Sequence, residues 1–238
     1  MPGEQLDEKQ VADYLNMDVR DVQKLAARGK IPCRKTRSGY VFRRGEVDHW
    51  VEQRMHEMGP EQLGEIERGV TAHHGIEPES LRLSEMIPAG GVEVPLSART
   101  RDSAVRRLVE LADEAGLVYE PRKLVSEIRH REEMCSTAIF PQVALPHPRH
   151  PLPYDISRSF LIIGSSPGGI PFGADDGSLT RLFFFICCKD DPTHLHVLAR
   201  LAGVLHLEGA TDELMAADSP DVVLSVLRRR EEALTEED

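Results

Sequence analysis

Two apolar runs, SFLII (159–163) and LFFFIC (182–187), constrain the fold of this 238-residue chain more than any other feature. Neither alternates polar with apolar residues as a half-solvated strand would, so both read as strands of a buried sheet. Stretches of helical periodicity surround them. Residues 101–115 put Val105, Leu108, Val109 and Ala112 on one face and stop at Gly116. Pro121 opens a second helix bearing Leu124, Val125 and Ile128, and two more start near Pro192 and Pro220. With further strands expected at 92–96 and 142–145, the interleaving predicts an α/β domain with a mixed sheet flanked by helices. The GSSPGG stretch (164–169) lacks the G-K-[ST] ending of a phosphate-binding loop and reads as a loop between strands.

The first 58 residues have a different character. Of the chain's 29 Lys/Arg and 40 Asp/Glu, they hold 11 and 10, so the acidic excess lies beyond residue 58. Residues 22–45 carry Lys24, Arg28, Lys30, Arg34, Lys35, Arg37, Arg43 and Arg44 with no acidic residue. Such a cluster is either a solvated face or the electrostatic footprint of phosphate-backbone binding. Asp7 and Gln10 form a cap pair ahead of a helix over 8–15. Asp18 caps a second helix carrying Val19, Val22, Leu25 and Ala26, which Gly29 ends. Two short helices across a three-residue turn make a helix-turn-helix pattern. A cation-rich hairpin is expected next, turning at RSG (37–39), then a third helix over 46–58.

The stretches VADYLNM, LAARGKIP, GYVF and EVDHWV make this module similar to the winged helix-turn-helix of MerR-type regulators and excisionases, over about residues 5–55. The resemblance implies a second helix in the major groove of double-stranded DNA, with Arg20, Gln23, Lys24 and Arg28 facing it. Arg34, Lys35 and Arg37 of the wing would meet the backbone, supplying salt-sensitive affinity rather than base discrimination. Asp21 and Val41 depart from the family's usual Thr and Arg. Because a fold does not confer a function, a protein-interaction module without DNA binding is the alternative.

Length and composition suggest two domains: 1–58, a linker over 59–80, an α/β domain over 81–230 and an acidic tail over 231–238. The apolar runs are too short to cross a bilayer and residues 1–10 hold no signal-peptide core, so a cytoplasmic protein is expected. Cys33, Cys135, Cys187 and Cys188 show no C-x-x-C spacing, which argues against a disulfide framework or zinc site. The adjacent His73 and His74 read as a solvated pair without a third metal ligand.

His147 stands between Pro146 and Pro148 just after the expected strand at 142–145. A histidine in a loop is ordinarily only exposed, but two prolines restrict the torsions beside it and would hold a nucleophile in place. Arg131, ending a helix, could supply a guanidinium to phosphate oxygens. His194 falls in the first turn of a helix that Asp191 can cap and Pro192 can begin, where free N–H groups and the dipole favour an anion.

REEMCSTAIFPQVALPHPR, PFGADDGSL and LFFFICCKDDPTHLHVLARLAGVL resemble the phosphotransferase-system EIIA domain of the fructose/mannitol and nitrogen-regulatory (PtsN-like) type, over about 81–230. By that resemblance His147 carries the phosphoryl group, Arg131 is the motif arginine, His194 is the second active-site histidine and His196 is peripheral. No metal and no organic cofactor is implied. IFPQ stands where the family has a glycine-bearing turn, and Pro148 where it has Gly. Joined to the first module, the resemblance implies a regulator charged by an HPr-like carrier, with a homodimer and a downstream transport or regulatory protein as further partners. A phosphoryl carrier for a sugar-transport subunit and a signalling adaptor that never touches DNA are the alternatives.

Overall fold

The computed structural model describes residues 5–74 and 81–236, with the side chains of 71–74 and 235–236 outside that description. His73 and His74, read as a solvated pair, therefore lie outside the described side chains. The chain divides into two compact units, Met1–Ser80 with Leu195–Gly203, and Leu81–His194 with Val204–Asp238.

In the first unit, Asp7 and Gln10 close a reciprocal capping box, each backbone N–H bonded at 2.8 Å to the other's side chain, and α1 (Glu8–Tyr14) follows. Asp18 accepts from Arg20 N at 2.7 Å and starts α2 (Val19–Ala27). That helix ends as expected at Gly29, whose φ of 64° lets Gly29 N and Lys30 N reach back to the carbonyls of Ala26 and Leu25. The hairpin of β2 (Arg34–Thr36) and β3 (Gly39–Arg43) forms. β1 (Gln5–Asp7) adds a third antiparallel strand on β3 in the order β1-β3-β2. Three residues abutting a helix offer no alternation to read, so β1 was not foreseeable. α3 (Arg44–Arg54) begins before the expected residue 46 and passes into a 3-10 turn over Met55–Glu57. It is tied to α1 by the Tyr14 hydroxyl, which donates to the buried Asp48 carboxylate at 2.9 Å. Burial, then the Asp48 charge, pushes the tyrosine pKa up.

Residues 59–80, expected as a linker with a short helical segment at EQLGEIERG (61–69), are helical over the longer α4 (Pro60–His74), which buries Leu63, Ile66 and Val70. Gly59 and Pro60 end one element and also open the next, because proline suits the first turn of a helix. At Gly69, α4 meets the end of α1: an added Cβ would lie 2.9 Å from the Tyr14 carbonyl oxygen. Alanine in a helix ordinarily gains ~1 kcal/mol over glycine. Here the contact is with backbone that cannot rotate away, and overpacking costs about 1–3 kcal/mol. Gly69→Ala is therefore expected to lower the melting temperature of the first unit by several degrees in a calorimetric scan; an unchanged or raised transition contradicts the packing.

The second unit is built on a mixed four-stranded sheet in the order β4-β6-β7-β5. Here β4 (Val92–Glu93) runs parallel to β6 (Phe160–Ile170), β6 antiparallel to β7 (Thr180–Cys187), and β5 (Val143–Ala144) parallel to β7. The GSSPGG stretch is not a loop but the second half of β6, with a register shift between Ser165 and Ile170. Glycine and proline signals mark bulges inside strands as well as loops. α6 (Arg101–Glu114) and α7 (Pro121–Met134) supply Leu108, Val109, Leu124 and Ile128 to a core shared with Phe160, Ile162, Phe183 and Phe185 of the sheet.

The short α5 (Leu83–Met86), α8 (Asp191–His206), α9 (Ala210–Ala216) and α10 (Pro220–Glu236) complete the architecture. Residues 231–236 are the last turns of α10 rather than a tail. Glu231 is buried, and its carboxylate accepts the N–H groups of Leu83 and Ser84 at 2.6 and 3.3 Å, capping α5 from the other end of the unit. All four cysteines are free thiols, and among the described residues no helix is long and apolar enough to cross a membrane.

Candidate functional site

β5 is only two residues long, yet its pairing continues past its end: the Pro146 carbonyl accepts from Ile186 N at 2.9 Å. The prolines have no N–H to offer the ladder, so the strand frays into a loop whose backbone is still held by β7. His147 follows at once and is buried. Its Nδ1 lies 2.7 Å from the Leu145 carbonyl oxygen. A carbonyl can only accept, so Nδ1 carries a proton, and in the neutral form of the ring the lone pair is on Nε2.

The turn before β5 explains the IFPQ departure. Val143 N donates to Phe140 O at 3.1 Å, with Pro141 in the second position and Gln142, at φ 58°, in the third. This is the pattern of a type II turn, which normally takes glycine at the third position. The Gln142 carbonyl is pinned by Arg181 N at 2.8 Å and Leu182 N at 3.1 Å, so the backbone cannot relax. Since the left-handed region costs a non-glycine residue ~1–2 kcal/mol, partly offset by the extra chain entropy of glycine, Gln142→Gly is expected to stabilise the second unit by about 0.5–1 kcal/mol. Urea titration checks this, and a loss of stability contradicts it.

His194 lies in the first turn of α8. The cap is one residue earlier than expected: Asp190, not Asp191, accepts from Thr193 N at 2.8 Å, while Pro192 sits in the first turn. The His147 and His194 rings are neighbours, with centroids 5.0 Å apart and planes tilted by 55°. Arg131, in the last turn of α7, is buried, and its Nη1 donates to the Cys135 carbonyl at 2.6 Å, while its buried Nε has no hydrogen-bond partner among the described residues. The two histidines are thus brought together, whereas the described hydrogen bond of Arg131 is to its own helix end. His196 is fully buried, with Nδ1 3.6 Å from a Glu67 carboxylate oxygen. Asp176 accepts from Ser178 N at 2.8 Å, and this bond lowers its pKa.

On α2 and its C-terminal cap, Arg20, Gln23, Lys24 and Arg28 are exposed at helical spacing, and Arg34, Lys35 and Arg37 are exposed on the wing. Gln23 donates to Glu8 at 2.5 Å, and Lys24 pairs with Asp21 at 2.7 Å. An exposed pair of this kind contributes little and is readily exchanged. Lys24 and Arg28 also line a cavity of about 400 Å³ with Leu25, Trp50, Arg54 and Met58. The Arg54 guanidinium lies 5.6 Å over the Trp50 ring. Trp50 and Arg54 were not singled out from sequence, because their spacing reads simply as a covering helix.

Residues 85–230 match the family described as phosphoenolpyruvate-dependent sugar phosphotransferase system, EIIA 2, and residues 6–55 match a helix-turn-helix domain. The chain belongs to the EIIA 2 family. It is 22% identical over 153 residues to the fructose-specific EIIABC component of Bacillus subtilis, covering 63% of this chain and 24% of that one. It thus spans about a quarter of the length of that relative. The structure is similar to IIA mannitol from Escherichia coli, with a TM-score of 0.52, 25% identity and coverage of 58% of this chain and 96% of that one. It shares the fold of the nitrogen regulatory protein IIA-Ntr from Neisseria meningitidis, with a TM-score of 0.54 and 21% identity over 60% of this chain and 97% of that one.

Proposed function

We propose that this chain is a cytoplasmic regulator linked to the phosphotransferase system, in which His147 accepts a phosphoryl group from an HPr-like carrier and its phosphorylation state modulates duplex DNA binding by the helix-turn-helix. The observation that carries the reading is the His147 ring held at Nδ1 by the Leu145 carbonyl with the His194 ring beside it.

In the proposed step, the lone pair on Nε2 attacks phosphorus, the P–N bond of the donor phosphohistidine breaks, and its electron pair returns to the donor ring. The Nδ1 proton stays on His147, so no general base is needed. Catalysis then rests on positioning and on stabilising charge spread over the equatorial oxygens. His194 and the uncommitted Arg131 Nε are suited to that stabilisation. Transfer of a PO3− unit with the Nδ1 proton retained adds one net negative charge to an already acidic domain, and later loss of that proton to solvent would add a second.

Arg20, Gln23, Lys24 and Arg28 would read the major groove, with Arg34, Lys35 and Arg37 on the backbone. The test is selection of duplexes from a random pool by the full chain, followed by binding measured before and after charging with the HPr-like carrier. A difference of several-fold between the two states is expected; no duplex binding in either state, or equal binding in both, contradicts the regulator. Likeness to fructose and mannitol transport components supports a second reading, a phosphoryl carrier. It predicts onward transfer to a transport subunit without any effect on DNA binding.

A further inference from the structure

Glu132 follows Arg131 directly but points into the protein, with its side chain 1% exposed. A carboxylate buried so completely costs several kcal/mol unless it is paired and hydrogen-bonded. Here it is both. One oxygen accepts the Thr137 hydroxyl, and the other accepts Thr137 N at 3.2 Å and Arg101 Nη2 at 2.9 Å. Arg101 also donates to the Glu132 backbone carbonyl, and its guanidinium lies 5.4 Å over the Phe172 ring. From Thr137 the contacts lead to the phosphoryl site: the Thr137 carbonyl accepts Leu145 N at 3.1 Å, and the Leu145 carbonyl is the group facing His147 Nδ1 at 2.7 Å.

We propose that Glu132 is a positioning residue for phosphoryl transfer: its buried carboxylate fixes Thr137, and through Thr137 and Leu145 it sets the tautomer and orientation of the His147 imidazole. The inference rests on His147 being the phosphoryl acceptor. Only a carboxylate can accept a hydroxyl, an amide and a guanidinium donor at once. Glutamine offers one acceptor oxygen and turns its NH2 toward donors. Without the carboxylate, the loop from 135 to 145 loses its anchor, and the Leu145 carbonyl is free to drift. In-line attack by Nε2 tolerates little of that, since a displacement of ~1 Å can cost 10²-fold in rate.

The test compares Glu132→Gln, Glu132→Asp and Thr137→Val in the full chain. Two readouts are taken: the tautomer of the His147 ring by nitrogen-15 NMR, and the rate of phosphoryl uptake at saturating and limiting HPr-like carrier. Glu132→Gln is expected to mix the His147 tautomers and to lower the saturating rate about 10- to 100-fold, with the half-saturating carrier concentration unchanged. Glu132→Asp recovers part of that rate. Thr137→Val, which leaves the Glu132–Arg101 pair intact, reproduces the defect if Glu132→Gln fails to fold. A folded Glu132→Gln or Thr137→Val with a single Nδ1–H tautomer and wild-type uptake overturns the inference. The NMR readout needs no phosphoryl donor. Absence of phosphate on wild-type His147 therefore counts against the parent reading alone, while the tautomer still decides the positioning role.

Discussion

Replacing His147 with glutamine is expected to abolish phosphoryl uptake, whereas replacing His194 with alanine slows it by roughly 10²–10³-fold without moving the phosphate elsewhere. The asymmetry follows from the two histidines' surroundings. His147 has its Nδ1 proton committed to the Leu145 carbonyl, so the proposed nucleophile is Nε2. A glutamine amide has no comparable lone pair. His194 comes from the first turn of a different element, and its ring is centred 5.0 Å from that of His147. Its proposed part is to donate to phosphoryl oxygens or orient the nucleophile, and losing one preorganised donor typically costs about 2.7–4 kcal/mol of transition-state stabilisation. His194→Asn, which keeps a donor, should recover part of the loss. Rapid-quench measurement of carrier-to-protein transfer separates these outcomes. Equal defects at the two positions would contradict the assignment of roles.

The second large effect is expected on the wing. Arg34, Lys35 and Arg37 are exposed and, among the described residues, none has an ion-pair partner, so each is available to a phosphate. Neutralising all three should weaken duplex binding about uniformly across sequences and reduce the slope of log affinity against log salt by roughly 3. Neutralising Arg20 and Arg28 on α2 should instead relax sequence preference, at about 1–3 kcal/mol per lost base contact. Fluorescence anisotropy over a salt series distinguishes the two. A triple wing variant with an unchanged salt slope would mean that the wing does not meet the backbone.

Much of this was legible in the residues because the signals were local. Capping at Asp7 and Asp18, termination at Gly29 and Gly116, and apolar faces at helical spacing each depend on a few neighbouring side chains. The runs at 159–163 and 182–187 marked the two central strands, and the prolines around His147 marked a constrained loop. What was missed depends on distant partners or on ambiguous punctuation. β1 exists only because β3 lies beside it. Glu231 looks like part of an acidic tail until Leu83 and Ser84 supply its donors across the second unit. GSSPGG reads as a loop because glycine and proline mark bulges with the same letters. At the candidate site, the pairing of His147 with His194 joins residues 47 positions apart, which no spacing rule could reveal. The buried Glu132 carboxylate was hidden in a charged run that reads as a solvated helix end.

The most direct test of the central claim is phosphopeptide mapping at neutral to alkaline pH, after incubating the full chain with phosphoenolpyruvate, Enzyme I and an HPr-like carrier. Acid-labile phosphate on His147, absent from His147→Gln and still confined to His147 in His194→Ala, is the predicted result. Phosphate on any other residue of the wild-type chain, or none with a carrier that charges other EIIA domains, would contradict it.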